Sequence, residues 1–130
     1  MKKLLLLLLL LPFTLLSQSS YIIVEAHYDS WGPQESQFYI INSGNDTILH
    51  HAPTSPNEYY LDTLFVNANS YFAVLLDSYG DGWQTSSFAG YFRVWNDCQD
   101  TIINYVCSPT NYFATEVINF NLGPCQPNAP

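Results

Sequence analysis

An apolar run leads directly into an acidic turn at residues 71–83, which read YFAVLLDSYGDGW. The first six residues are aromatic, apolar or β-branched, a composition typical of a short β-strand. Asp77 and Asp81 follow, four positions apart and interleaved with two glycines, which allow the sharp bend that brings both carboxylates into one loop. Trp83 closes this loop. The stretch therefore predicts either a cation site or a demanding turn at the end of a strand.

The same arrangement occurs earlier in the chain, at residues 21–32, which read YIIVEAHYDSWG. The segments that follow also match: residues 38–49 correspond to residues 92–103, and the Ser-Pro loop at 55–60 corresponds to that at 108–113. The chain therefore consists of two copies of one unit of about fifty residues.

Each unit reads strand, acidic turn, strand, hairpin turn, strand, Ser-Pro loop, strand. The hairpin tips fall at residues 43–45 and 97–99, where Gly, Asn and Asp suit special backbone angles. This pattern predicts an all-β fold, an antiparallel β-sandwich of about eight strands built from two tandem four-strand halves, at about 20–67 and 70–122. We expect a pseudo-two-fold axis to relate the halves, and neither half to be stable alone.

The two ends of the chain differ from this pattern. Residues 1–17 begin with two lysines, continue with a leucine run and end at Ser17, which is typical of a secretory signal helix. The run is shorter than the ~20 apolar residues that span a bilayer. We therefore expect a secreted protein, extracellular or at the cell surface and not inserted in a membrane, with a β-sandwich at 18–125 and a linker-like tail at 126–130.

The charge balance excludes some partners. Once Lys2 and Lys3 leave with the signal peptide, Arg93 is the only strongly basic residue against eleven acids, so the formal charge becomes −10. Such a surface repels phosphate backbones, which argues against nucleic-acid partners and anionic membranes. Divalent cations are the natural counter-ions.

The acidic loop has two interpretations. In the first it binds Ca2+, with carboxylates from Asp77 and Asp81 and main-chain carbonyls from Tyr79 and Trp83, as in the first half of an EF-hand loop. The match is partial, because Phe88 stands where a closing Glu would be. In the second, both Asp side chains accept amide hydrogen bonds across a long turn and Trp83 packs underneath.

The first copy of the turn is shorter. It carries Pro33 and Glu35 and lacks about six residues that the second copy has between its turn and its next strand. The insertion adds Asp, Gly and Trp to the second copy, which suggests that one half is specialised. The first copy is interpreted as the plain structural version.

Aromatic side chains offer another kind of site. Trp31, Tyr79 and Trp83, together with the Tyr59-Tyr60 pair, could form a stacking platform for sugar rings, which would make the domain a carbohydrate-binding module. The alternative is that these aromatics belong to the core.

Catalysis has little support in the sequence. His50 and His51 are adjacent on a predicted strand, so they point to opposite faces and cannot chelate one ion together. An acid/base pair from Asp77 and Asp81 would make a small secreted hydrolase, and Cys107 is a conceivable thiol nucleophile. Because no nucleophile, base and orienting group converge, we expect a protein that is not an enzyme.

The three cysteines permit one disulfide and one remainder. Cys98 lies at a hairpin tip, and Cys107 lies at the far end of the strand that leaves it, too far to bridge. The last strand should run back toward the tip and bring Cys125 close. We therefore predict a Cys98–Cys125 disulfide, with Cys107 buried or free.

Residues 77–83 resemble the Asp-Ser-Tyr-Gly-Asp-Gly-(Trp or Ile) signature of duplicated β-sandwich modules in secreted bacterial and marine eukaryotic proteins, where they often stand beside peptidase or adhesin domains. Asp29 and residues 33–36, Pro-Gln-Glu-Ser, resemble the first half of those modules. The resemblance implies a secreted, non-catalytic module for adhesion or accessory binding, with an extracellular protein or glycan as partner. Related modules tend to carry cysteines in or near the signature loop, and this chain does not.

Overall fold

The computed structural model describes residues 20–125. The predicted signal peptide at 1–17 and the predicted tail at 126–130 lie outside the described residues. Across residues 20–125, the model contains no helix with the length and apolar character that crossing a bilayer requires.

The described part of the chain is all-β, as predicted. It contains ten strands and one single-turn helix, in the order β1 (Ser20–His27), α1 (Gly32–Glu35), β2 (Ser36–Asn42), β3 (Thr47–His51), β4 (Tyr59–Val66), β5 (Ser70–Asp77), β6 (Gln84–Thr85), β7 (Phe88–Ala89), β8 (Tyr91–Asn96), β9 (Thr101–Val106) and β10 (Thr115–Asn121).

Eight of these strands form two antiparallel four-stranded sheets, with the orders β4-β1-β8-β9 and β10-β5-β2-β3. Each sheet therefore takes two strands from each half of the chain. The strands β1, β2, β3 and β4 of the first half correspond to β5, β8, β9 and β10 of the second. Exchanging each strand for its counterpart converts the order of one sheet into that of the other. This is the pseudo-two-fold arrangement predicted from the repeat. Neither half contains a complete sheet.

The regions that sequence analysis did not predict lie next to the acidic turns. The single-turn helix α1 has Pro33 in its first turn, where a missing amide donor is tolerated. Strands β6 and β7 pair with each other inside the inserted segment of the second half. The last strand begins at Thr115, so the second Ser-Pro loop extends beyond the matched residues 108–113.

The two hairpins have the same internal structure. Asn42 Oδ1 accepts hydrogen bonds from the backbone amides two and four residues ahead, both at 2.9 Å. Asn96 Oδ1 does the same at 3.0 and 2.8 Å. The third residue after each asparagine, Asn45 and Gln99, adopts a left-handed backbone with φ of 66°. An Asn that holds its own turn in this way explains why both hairpins form at these positions.

The core lies between the two sheets. Phe38 on β2 and Phe92 on β8 occupy equivalent positions in the two halves, and their ring centroids are 5.0 Å apart. Trp83 is fully buried beside them. Its ring centroid lies 4.6 Å from that of Tyr28, and its indole nitrogen donates a hydrogen bond to the Leu76 carbonyl at 3.0 Å.

Cys98 and Cys125 form a disulfide, as predicted, with their Cα atoms 5.7 Å apart. Cys98 follows β8 and Cys125 follows β10, so the bond joins the two sheets at the end of the sandwich opposite Asp77. Cys107 is buried and unbonded.

Gly90 provides a test of the packing between the inserted segment and the core. A Cβ atom at this position would collide with the Trp83 carbonyl oxygen and lie 2.7 Å from the His27 carbonyl oxygen, and neither backbone atom can move freely. We expect Gly90→Ala to lower the free energy of unfolding by about 3 kcal/mol, measured by urea denaturation.

Gly123→Ala is the matched control, because a Cβ atom at Gly123 meets nothing within 4 Å. We expect its free energy of unfolding to stay within about 0.5 kcal/mol of the wild type. Equal stability of the two variants would contradict the packing described for Gly90.

Candidate metal centre

Two loops meet at one end of the sandwich. The first connects β1 to β2 across residues 28–35, and the second leaves β5 at residue 78. Ser36 at the start of β2 lies opposite Asp77 at the end of β5. The Ser78 amide also donates a hydrogen bond to the Glu35 carbonyl at 2.9 Å, which connects the two loops directly.

Asp29 and Asp77 begin these loops, and both side chains are buried, with 0% and 1% exposure. Asp29 Oδ1 accepts a hydrogen bond from the Trp31 amide at 2.8 Å. Asp77 Oδ1 accepts one from the Gly80 amide at 2.6 Å, and Gly80 has a left-handed φ of 90° that suits glycine. One oxygen of each carboxylate therefore makes the turn.

The other oxygen of each carboxylate is free. Oδ2 of Asp29 and of Asp77 is buried without a hydrogen-bond partner, and the same holds for Oδ1 of Asp81 and the hydroxyl of Ser36. Buried polar atoms are nearly always paired, so four such atoms in one place need an explanation.

Three carboxylates converge at this point. Oxygens of Glu35, Asp77 and Asp81 all lie within 4.8 Å of one another, and these three residues are named the acidic cluster below. Arg93, the one strongly basic residue of positions 20–125, pairs instead with Glu25 at 3.7 Å. The negative charges of the cluster therefore have no protein cation beside them within the described chain.

The electrostatics of the cluster follow from its burial and crowding. Burial raises the pKa of Asp77 to about 6; the Gly80 amide opposes the rise, and the charge of Asp81 adds to it. Burial and then the charges of Asp77, Asp29 and Asp81 raise the pKa of Glu35 to about 7. Burial also raises the pKa of Asp29, and the charge of Asp81 adds to the increase. Folding therefore brings these carboxylates into a site that disfavours their charged forms.

The cluster opens into a cavity of about 360 Å³, named the aromatic cavity below. It is lined by Trp31, Glu35, Tyr79 and Asp81. The two aromatic side chains are 60% and 81% exposed, respectively. Glu35 and Asp81 belong to both the cluster and the cavity wall, so the acidic cluster directly adjoins this cavity.

The structure separates the residues that the sequence grouped together. Trp31 and Tyr79 are exposed beside the acidic cluster, as a binding role requires. Trp83 is fully buried, and its carbonyl already accepts a hydrogen bond from the Gly90 amide at 2.7 Å. The prediction that Trp83 stacks on a sugar is therefore wrong, because its ring belongs to the core.

Glu35 and Asp29 are the residues that sequence reasoning missed. Both lie in the first half of the chain, which was interpreted as the plain structural copy. The structure places the Glu35 carboxylate in the cluster, and the Asp29 charge raises the pKa of both Glu35 and Asp77. The signal that could have found them is the match between the Asp-Ser-aromatic-Gly turns at residues 29–32 and 77–80.

The thiol and the two histidines weighed for catalysis have the following surroundings. Burial raises the pKa of the Cys107 thiol to about 11, which disfavours the thiolate. His51 Nδ1 lies 3.0 Å from the Tyr28 hydroxyl, and its Nε2 lies 3.0 Å from Glu58. His50, on the opposite face as predicted, lies 3.1 Å from Gln37.

A scan against protein-family models and searches of curated proteins and of solved structures found no match to this chain.

The raised pKa values predict an unusual pH dependence for the protein in chelator. Ordinary values are 3.8 for Asp77 and 4.5 for Glu35, so the folded state keeps protons that the unfolded chain has already released. The contribution of these groups to the free energy of unfolding should therefore fall as the pH rises from about 4 to about 7. Urea denaturation at a series of pH values, with chelator present, measures this.

Comparison with Glu35→Gln isolates the effect. Burial lowers the pKa of His51. The contribution of His51 to the free energy of unfolding therefore increases with pH up to 6.5, the ordinary pKa of histidine. This contribution is the same in the wild type and in Glu35→Gln. The variant should lose stability less steeply than the wild type as the pH rises from about 5 to about 7. Parallel curves for the two proteins would show that Glu35 does not carry the shifted charge.

Proposed function

We propose that this chain is a secreted, non-catalytic β-sandwich module that binds Ca2+ between its two halves and serves in adhesion or accessory binding. The observation that carries the proposal is the group of unpartnered buried oxygens on Asp77 and Asp81, facing the Glu35 carboxylate. Oxygens from both halves would be the ligands, so the cation would join the two loops.

The cost of leaving these oxygens unpartnered supports a bound cation. A buried carboxylate without a compensating partner is strongly unfavourable, and three close together repel one another. A divalent ion would offer attraction to all three carboxylates at once. The acidic composition of the chain would add a long-range attraction for cations.

The donor set favours calcium over zinc or copper. The acidic cluster contains carboxylates and no His or Cys, and hard oxygen ligands are those that Ca2+ and Mg2+ prefer. Ca2+ tolerates irregular sets of six to eight oxygens, whereas Mg2+ demands a near-ideal octahedron and keeps several waters. Carboxylates delivered by two separate loops suit the less demanding ion.

Secretion is supported by two features. The first is the basic start and leucine run of residues 1–17. The second is the Cys98–Cys125 disulfide, since such bonds persist mainly in oxidising compartments. The resemblance of residues 77–83 to the signature of duplicated secreted modules supports an accessory role beside other extracellular domains.

The proposal predicts stabilisation by calcium. The protein in millimolar Ca2+ should unfold at a higher temperature than in chelator, with a gain of about 2.7 kcal/mol when Ca2+ reaches a hundredfold excess over its dissociation constant. Glu35→Gln and Asp81→Asn each remove a ligand charge and should lose most of this gain. In chelator near neutral pH, Glu35→Gln should be at least as stable as the wild type, because it removes repulsion within the cluster. Thermal unfolding followed by circular dichroism measures all of these.

Glu116→Gln is the matched control, because it makes the same chemical change on β10, outside the acidic cluster. It should keep the full response to Ca2+. A wild type that does not respond to Ca2+, or a response that survives in both cluster variants, would refute the proposed site. An equal response to Mg2+ at the same concentration would refute the choice of calcium.

A further inference from the structure

We propose that the aromatic cavity binds an oligosaccharide, held by hydroxyl coordination to the cluster-bound cation and by stacking on Trp31 and Tyr79. This inference rests on the proposed function, because it places the cation in the acidic cluster. It names the class of ligand that the module would recognise.

A cation in the acidic cluster would have coordination positions left for a ligand. Glu35 and Asp81 contribute both to the acidic cluster and to the wall of the aromatic cavity, so a cation held by them faces the cavity. Three carboxylates leave part of the six to eight positions of Ca2+ unfilled unless every one is bidentate. The remaining positions would be available to oxygen atoms of a ligand in the cavity.

The charge of the site favours a neutral ligand. Three carboxylates outnumber the two positive charges of Ca2+, and Asp29 adds another acid next to them. An anionic ligand would therefore be repelled even with the cation in place. Neutral oxygen ligands avoid this electrostatic repulsion. Two adjacent hydroxyls on a sugar ring are such a neutral pair, and their spacing allows both to bind one Ca2+ ion.

The aromatic walls of the cavity suit a sugar ring. Trp31 and Tyr79 are exposed by 60% and 81%, although the chain buries other aromatic rings completely. Each carries a large apolar face with one polar group, which suits a surface that must bind a ligand and remain hydrated. The C–H face of a pyranose ring packs on such a face while its hydroxyls point to the cation. The cavity volume of about 360 Å³ lies in the range of small-ligand sites.

The surface beside the aromatic cavity has room for more than one sugar. A second depression of about 230 Å³ shares Asp81 with the aromatic cavity. Its other lining residues are Gln84, Thr85, Ser86, Pro109 and Tyr112. Tyr112 is 63% exposed, so this depression also combines an aromatic wall with hydroxyl and amide groups. Two adjoining depressions around one carboxylate fit a chain of linked sugars better than a single ring.

The test combines two measurements on the protein expressed from its full sequence. An array of immobilised oligosaccharides is probed in millimolar Ca2+ and again in chelator, and calcium binding is measured separately by isothermal titration calorimetry. We expect array signals that need Ca2+. Trp31→Ala and Tyr79→Ala should each weaken binding of the strongest array glycan by about tenfold or more, while the calcium affinity stays within about twofold.

Phe65→Ala is the matched control, because Phe65 is an aromatic residue on β4 with 75% exposure and lies outside both depressions. It should keep both the glycan and the calcium affinity. Calcium binding without any calcium-dependent glycan signal would refute this inference and leave the proposed function standing. Glycan signals that persist in chelator, or that survive in both aromatic variants, would also refute it. A wild type that binds no calcium would refute both.

Discussion

The backbone hydrogen bonds of β1 and β5 join the two halves of the chain. β1 lies between β4 of its own half and β8 of the other, and β5 lies between β10 and β2 in the same manner. A strand between two neighbours needs both of them to satisfy its amides and carbonyls. After β1 the chain passes to β2 in the other sheet, and after β5 it passes by way of β6 and β7 to β8 in the other sheet. Because the two crossings are related by the symmetry of the strand order, the acidic turns meet at one end.

Bringing the two acidic turns together destabilises the folded state, and packing in the core must offset this cost. Burial and mutual repulsion raise the pKa values of Asp77 and Glu35, which means that ionising them works against folding. Directly beneath the turns, Trp83 and Tyr28 are fully buried and in contact. The burial of these two aromatic side chains stabilises the sandwich and offsets the cost of the crowded carboxylates. Local rules are usually broken in this way where a protein binds something.

Sequence reasoning was sufficient where the cause is local. The Asn residues that organise both hairpins hydrogen-bond within their own turns, and the disulfide follows from a hairpin tip and a returning strand. Sequence reasoning was insufficient where the position of a side chain depends on contacts between distant parts of the chain. The carboxylate that completes the cluster is Glu35, from the other half, because Phe88 occupies the place where a local motif would supply an acid. Trp83 was ambiguous since an aromatic after a glycine turn suits a core and a binding surface equally, and only its position between the sheets decides.

The disulfide and the acidic cluster lie at opposite ends of the sandwich. At one end, Cys98 and Cys125 join the two sheets covalently. At the other end, the chain passes between the sheets through loops whose carboxylates repel one another. Local opening requires the least free energy where fixed contacts are weakest, so the sheets should begin to separate at the acidic end while the other end stays closed. The buried amide hydrogens near Asp29 and Asp77 would then exchange with solvent through this local opening, and any ion that joins the two loops would slow their exchange.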